Sequence, residues 1–174
     1  MSNAPIDMSY GPIEAIDPYH MQMTKEFEGF EPNIYKDSLG IKSIGHGFNL
    51  EDETVSSLLP SDVLSGERGI TQPESDVIFN QIYGRARGDA KSFAGEDIFK
   101  RLPIEVQGIV TDMAYNMGLT KLDGFVELKK ALEKGDWEKS AIEMKDSKWY
   151  GQVGDRSKKL INMMLNQGRA VGGY

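Results

Sequence analysis

Residues 26–48 read EFEGFEPNIYKDSLGIKSIGHGF, and an acidic residue, Glu28, stands there between Phe27 and Phe30 beside a glycine. Gly29 suits the position just past a helix C-terminus. A carboxylate at that end meets the negative pole of the helix dipole, which costs about 0.3–1 kcal/mol at an exposed site. Stability alone selects Lys or Arg there, so Glu28 is expected to serve something other than stability. Beyond it, β-branched and aromatic residues broken by Gly40, Gly45 and Gly47 predict short strands around a Ser-Leu-Gly turn.

Working outward, Asp17-Pro18 reads as an N-cap followed by Pro at the first helical position, opening a helix that runs to Phe27 or Glu28. Residues 1–16, with Pro5, Gly11 and Pro12, read as a flexible arm. On the other side, residues 49–70 read as an irregular stretch with one or two short helices. Thr71 and Glu74 then form a capping box with Ile70 as staple. The long polar helix that follows, to about Ala94, has Val77, Ile78, Ile82 and Tyr83 on its apolar side. Gly84 and Gly88 within it predict a kink or a close packing contact.

From Pro103 the pattern is helical throughout. Val106, Ile109, Val110, Met113, Ala114 and Met117 recur at three- and four-residue steps and mark a core helix. Asp123 or Gly124 opens another, with Phe125, Leu128 and Leu132 on one stripe and Gly135 at its end. Asp136 starts a shorter one, and Asp155 caps a last one that carries Leu160, Ile161 and Met164. The class is α+β: one domain over residues 17–174, with a β-containing lobe (17–70), a linking helix (71–94) and a helical lobe (95–174). A cleft between lobes is the default site.

The chain has 174 residues, enough for one domain with a real core. It lacks cysteine, which removes disulfides, thiolate nucleophiles and zinc-thiolate sites. Its two histidines, His20 and His46, are too far apart to suggest a metal site. A net charge of −7 disfavours general nucleic-acid binding. The tail is nonetheless basic, with Lys148, Arg156, Lys158, Lys159 and Arg169; it reads either as a basic face that would suit an anionic polymer or as the solvated charged side of a helix. No apolar run approaches the roughly 20 residues that span a bilayer. The N-terminus lacks the basic start and apolar stretch of a signal peptide, so work outside the cytoplasm requires another route across the membrane.

For chemistry, two carboxyls matter. Phe27 and Phe30 would partly desolvate Glu28 and favour its protonated form, as a general acid needs. Asp37, in the wetter turn YKDSLG, would stay ionised, and two carboxyls so separated form a pair for glycoside hydrolysis. Asp before Ser-Leu-Gly is also a routine turn residue. Ser43 reads either as an exposed strand serine or as a hydroxyl that holds an attacking water with Asp37. His46 reads as a surface or cleft-lining residue. There is no G-x-S-x-G elbow, P-loop or dinucleotide fingerprint.

Glu28, eight residues, Asp37, five residues, then Ser43 in SIGHG closely resembles the catalytic signature of the phage-type lysozymes. That family carries the same spacing with Thr in place of Ser. A second block, DMAYNMG through GDWEKSAIEMKDSKWYGQVGDRSKK, resembles the family's helical lobe, and the likeness covers about Tyr19 to Met164. It implies a lysozyme-like fold and hydrolysis of the β-1,4 bond between N-acetylmuramic acid and N-acetylglucosamine in peptidoglycan. Glu28 would protonate the leaving oxygen, Asp37 and Ser43 would hold water on the opposite face, and the anomeric centre would invert, without a metal or organic cofactor. Tyr115 is the first substrate-contact candidate and Asn116 the second, and Arg156 takes the family position beside the catalytic Glu. Three departures stand out: Ser43 for Thr, Asp112 for an Asn near the cleft, and Phe48 for a His whose structural ion pair is then expected to be missing. The resemblance implies a monomer made in a host cytoplasm and acting at the cell wall, either as an endolysin that depends on a holin or as a virion component. A peptidoglycan-binding structural module and a lytic transglycosylase are the competing readings. The first would dispense with Glu28 and Asp37; the second needs no water holders.

Overall fold

The computed structural model describes residues 17–170, so the arm expected at residues 1–16 lies outside the described residues. Helix α1 (Pro18–Glu28) begins as its sequence dictates, with the Asp17 carboxylate accepting the Tyr19 N–H. It stops at Gly29, whose N–H closes onto the Lys25 carbonyl. Strands β1 (Glu31–Lys36), β2 (Lys42–Gly45) and β3 (Phe48–Asn49) follow as one antiparallel sheet in that order. The β1–β2 register slips between Glu31 and Tyr35. Pro32, which has no N–H to give the ladder, lies in that slip, and its carbonyl accepts the Ile70 N–H at 2.8 Å. After the slip Tyr35 pairs with Ser43 and Lys36 with Lys42.

Short helices α2 (Glu53–Ser56) and α3 (Ser61–Leu64) occupy the irregular stretch. Helix α4 (Gln72–Ala94) opens on the expected capping box between Thr71 and Glu74. Arg68 clamps the same Glu74 carboxylate through Nη1 at 2.9 Å and Nη2 at 2.8 Å. The remainder is helical: α5 (Glu96–Arg101), α6 (Ile104–Leu122), α7 (Val126–Lys134), α8 (Trp137–Lys145), α9 (Lys148–Val153) and α10 (Asp155–Ala170).

The structure corrects several sequence expectations. Gly84 and Gly88 produce neither a kink nor a close contact: α4 runs unbroken, and a Cβ at either position would meet nothing within 4 Å. Val77 is exposed, and Phe79 takes its place on the buried side. The bend lies instead in α6, at Gly118, where φ is 75°. Asp123 and Gly124 close α6 rather than open α7, because their N–H groups bond back to Leu119 and Lys121. Asp155 is the first residue of α10, not its cap. Helices α5 and α9 went unanticipated. At six residues each they are too short to display a helical period, although Ser147 caps α9 by accepting the Tyr150 N–H.

Among the described residues two apolar cores result. The smaller gathers Ile44, Phe48, Val63, Ile78, Phe79 and Tyr83, and the larger includes Met23, Phe93, Phe99, Met113, Leu132 and Met144. Helix α4 serves both, the first with Ile78, Phe79 and Tyr83, the second with Ala86, Ala90 and Phe93. Each fully buried Phe contributes about 1.5–3 kcal/mol by leaving water. Although first among the described elements, α1 packs on α6 of the helical body. A Cβ at Gly108 would fall 2.3 Å from the His20 ring, so only glycine admits this approach. That packing sets where α1 ends, and hence where Glu28 lies.

Candidate active site

Glu28 is the last residue of α1, and its carboxylate meets two elements distant in sequence. On one side a Cβ at Gly47 would lie 3.2 Å from Oε2, so the carboxylate rests against the turn that joins β2 to β3. On the other, Arg156 of α10 donates from Nη1 to Oε1 at 2.6 Å. The side chain of Glu28 keeps 20% of its surface exposed while that of Arg156 keeps 9%. The setting of Glu28 is therefore ionic rather than aromatic. Phe27 turns its ring to Arg156 and Lys159, with cation-to-centroid distances of 5.1 and 5.4 Å. Phe30 leans towards His46, ring centroids 5.5 Å apart.

Arg156 is itself held from behind. Asp112 of α6, fully buried, accepts Nε at 2.8 Å and Nη2 at 3.1 Å, and takes a third bond from the Thr24 hydroxyl at 2.7 Å. Burial works against the charge on Arg156, but Asp112 and then Glu28 outweigh it and hold the guanidinium above its ordinary pKa. Arg156 is thus not part of a basic face, against the first reading of the tail, and Lys158 of that tail pairs with Asp155 at 2.9 Å.

Asp37 closes the β1–β2 turn. Its Oδ1 accepts the N–H groups of Leu39 at 2.8 Å and Ile41 at 2.9 Å, the routine turn role. Among the described residues no hydrogen bond forms to Oδ2, which can still accept one. Ser43 on the central strand pairs with Tyr35, two residues before Asp37. Residues opposite each other share a sheet face, as do residues two apart. Ser43 and Tyr35 therefore share a face, and Asp37 lies just past the end of β1, in the turn, its N–H bonded to the Ile41 carbonyl at 2.9 Å. Ser43 is buried at 3% exposure, not an exposed strand serine. Tyr35, which the sequence reading passed over, links the two carboxyls. Burial, then the charges of Asp37 and Glu28, raise its phenol above the ordinary pKa. Its place two residues before Asp37 was the available signal.

Tyr115 packs against both cores, its ring 5.3 Å from Phe79 and 6.4 Å from Tyr83. Burial and the nearby Glu28 raise its phenol, with Arg156 pulling the other way. It forms a seam between the two cores within reach of the charge on Glu28. Asn116 is exposed and its Oδ1 accepts the Trp149 Nε1–H at 3.1 Å. Both Asn116 and Trp149 line an open groove of about 1020 Å³, with Phe125 and Gln152, that faces Ser38 and Leu39 of the Asp37 turn.

His46 is buried, at 4% exposure, and not a surface residue. Its Nδ1 contacts the Gly29 carbonyl, directly after Glu28, and its Nε2 lies 3.3 Å from Asp76 and 3.0 Å from the Gln72 amide. Lys25 also reaches Asp76, at 3.1 Å. The pair expected to be missing at position 48 is missing, since Phe48 fills the smaller core, and it is His46 that meets an aspartate. Among the described residues no three His, Cys, Asp or Glu side chains are grouped to hold a metal ion, and no helix is long and apolar enough to cross a membrane.

The chain is 26% identical over 154 residues to the probable T4-type lysozyme 2 of Dictyostelium discoideum, covering 81% of this chain and 90% of that protein. It is 27% identical to the probable T4-type lysozyme 1 of the same organism, covering 82% and 91%. It is also 26% identical over 155 residues to the pre-baseplate central spike protein Gp5 of Enterobacteria phage T4, covering 83% of this chain but only 27% of the spike protein's length. The phage lysozyme family model matches residues 25–164. The chain belongs to the phage lysozyme family, a family of glycoside hydrolases.

Proposed function

We propose that this chain is a peptidoglycan muramidase that cleaves the β-1,4 bond between N-acetylmuramic acid and N-acetylglucosamine with inversion. The observation that carries the reading is Glu28, set against the β2–β3 turn by Arg156, beside Tyr35, which feels the charges of both Asp37 and Glu28 and pairs with Ser43 across the sheet. Glu28 protonates the leaving glycosidic oxygen. The unused Oδ2 of Asp37 and the Ser43 hydroxyl hold and activate water on the opposite face of the sugar. Inversion needs carboxyls roughly 6.5–9.5 Å apart, leaving room for that water. The groove past Leu39 and Asn116 receives the polymer, and the cell wall is the place of action, reached from a host cytoplasm or with a virion.

Mass spectrometry of fragments released from purified peptidoglycan tests this reading. Reducing muramic ends are expected. Anhydro ends would make the chain a transglycosylase, and no release would make it a binder. An early NMR spectrum of the anomeric proton separates inversion from retention, and a retained anomer would recast Asp37 as a nucleophile. Asp37→Ala should lose far more rate than Ser43→Ala, because the aspartate supplies charge as well as a hydrogen bond.

A further inference from the structure

We propose that Asp112 is a positioning residue that acts on Glu28 through Arg156, by fixing the direction of the guanidinium and taking up part of its charge. The inference rests on the muramidase reading for its catalytic meaning, but not for its geometry. One guanidinium serves two carboxylates. Asp112 takes Nε and Nη2 from a fully buried position, and Glu28 at the cleft takes only Nη1. A two-pronged contact sets the plane of an arginine head, whereas a single one does not. Thr24 donates to the same Asp112 oxygen that receives Nη2, so the acidic partner is itself held in place. The face of the head lies over Phe27, 5.1 Å from the ring centroid. Nη1 is left pointing at Glu28.

The charges lead the same way. A lone arginine at hydrogen-bond distance would hold Glu28 in its ionised form and deplete the proton that a general acid must deliver. A buried aspartate on the other side of that arginine offsets the effect. An asparagine there keeps the shape and much of the hydrogen bonding but not the offset. The other titratable groups facing the cluster are Tyr83 on α4, Tyr115 on α6 and Tyr35 on β1, which feel the charges of Asp112 or Glu28, and Lys159, whose ammonium lies over Phe27. Arg87 and Asp17 stand one step further off, beside Tyr83. None of these replaces Asp112 as the second partner of Arg156.

The test is Asp112→Asn in the full chain, read in two ways. The pH profile of kcat/KM on peptidoglycan should lose its alkaline side earlier, by about one pH unit or more, the scale of an unopposed arginine beside a carboxylate. Titration of 13C-labelled Glu28, assigned with Glu28→Gln, should move by the same amount in the same direction. A merely structural role would lower melting temperature and rate while leaving both curves in place, and that result in a folded variant overturns the proposal. Should the wild type release no fragments, the muramidase reading fails while the Glu28 titration still decides the coupling. Should the variant not fold, the wild type decides. The Asp112 carboxyl signal should stay that of an ionised group throughout the titration of Glu28, and a proton taken first by Asp112 refutes the charge balance.

Discussion

Gly47→Ala should damage the candidate site more than it damages the fold. Gly47 has φ of 73°, and a residue with a Cβ in that region loses about 1–2 kcal/mol. The second effect is local. The new Cβ would sit 3.2 Å from Glu28 Oε2, so the carboxylate must withdraw by a few tenths of an ångström. It is tied at Oε1 to Arg156 at 2.6 Å and can withdraw only by turning. A domain of this size loses about 2–4 °C of melting temperature per kcal/mol, which predicts a fall of roughly 2–8 °C. Misplacement of a reacting group by about 1 Å can cost on the order of 100-fold in rate, so a loss of about 10- to 100-fold is expected well below the melting transition. Gly95→Ala is the control. It has φ of 89° and a nearest contact of 3.9 Å, to Ile98, so it shares the backbone cost with no crowding of Glu28. Calorimetry and a turbidity assay on purified walls at 15 °C measure the two quantities. Equal rates for the two variants would refute the contact between Glu28 and the turn.

Three further outcomes follow from the same structure. Glu28→Gln should remain folded by circular dichroism and lose about 10²–10⁴-fold in lytic rate, the usual worth of a general acid, and near-normal turnover would remove Glu28 from the chemistry. Gly84→Ala and Gly88→Ala fill open space in the unbroken α4 and should each stabilise by about 0.5–1 kcal/mol in denaturant titrations; a loss would mean that the helix must flex there. Arg68, followed by the Thr71 backbone and hydroxyl, pulls Glu74 from its ordinary 4.5 down to about 2. A lowered carboxyl contributes stability above its unfolded pKa and loses it as pH falls through the folded one. The wild type should therefore lose stability relative to Glu74→Gln between about pH 4.5 and 2, and parallel melting curves across that window would show the Arg68 clamp to be ineffective.

What the sequence revealed, it revealed where one short segment contains the whole cause. Asp17 with Pro18, and Thr71 with Glu74, are complete capping signals, and the helices start on them. Asp37 and Gly40 make their turn from within a few residues. Glu28 was conspicuous for a reason equally local, its mismatch with the helix end. The partners that define its surroundings are not local: Arg156 lies 128 residues away, and Asp112 meets Thr24 across 88. Nothing near Phe27 indicates that it turns to cations instead of to its neighbour. The burial of His46 was hidden for the same cause. His46 reaches Asp76 only because α4 returns beneath the sheet, and the stretch around residue 46 carries no mark of that. Gly84 and Gly88 misled in the opposite way, since nothing in their own segment distinguishes a glycine that bends a helix from one that merely faces water.

The placement of α1 also bears on how the chain is made. Glu28 leaves the ribosome before all of its partners, since its turn, its arginine and the helix beneath it come from residues 47, 156 and 104–122. Synthesis runs from the N-terminus at about 5–20 residues per second. A nascent chain therefore carries its acid for several seconds before Arg156 exists, with α1 lacking the α6 surface on which it folds. The candidate site cannot assemble before residue 156 is made, and a chain cut short before it has no arginine to hold Glu28.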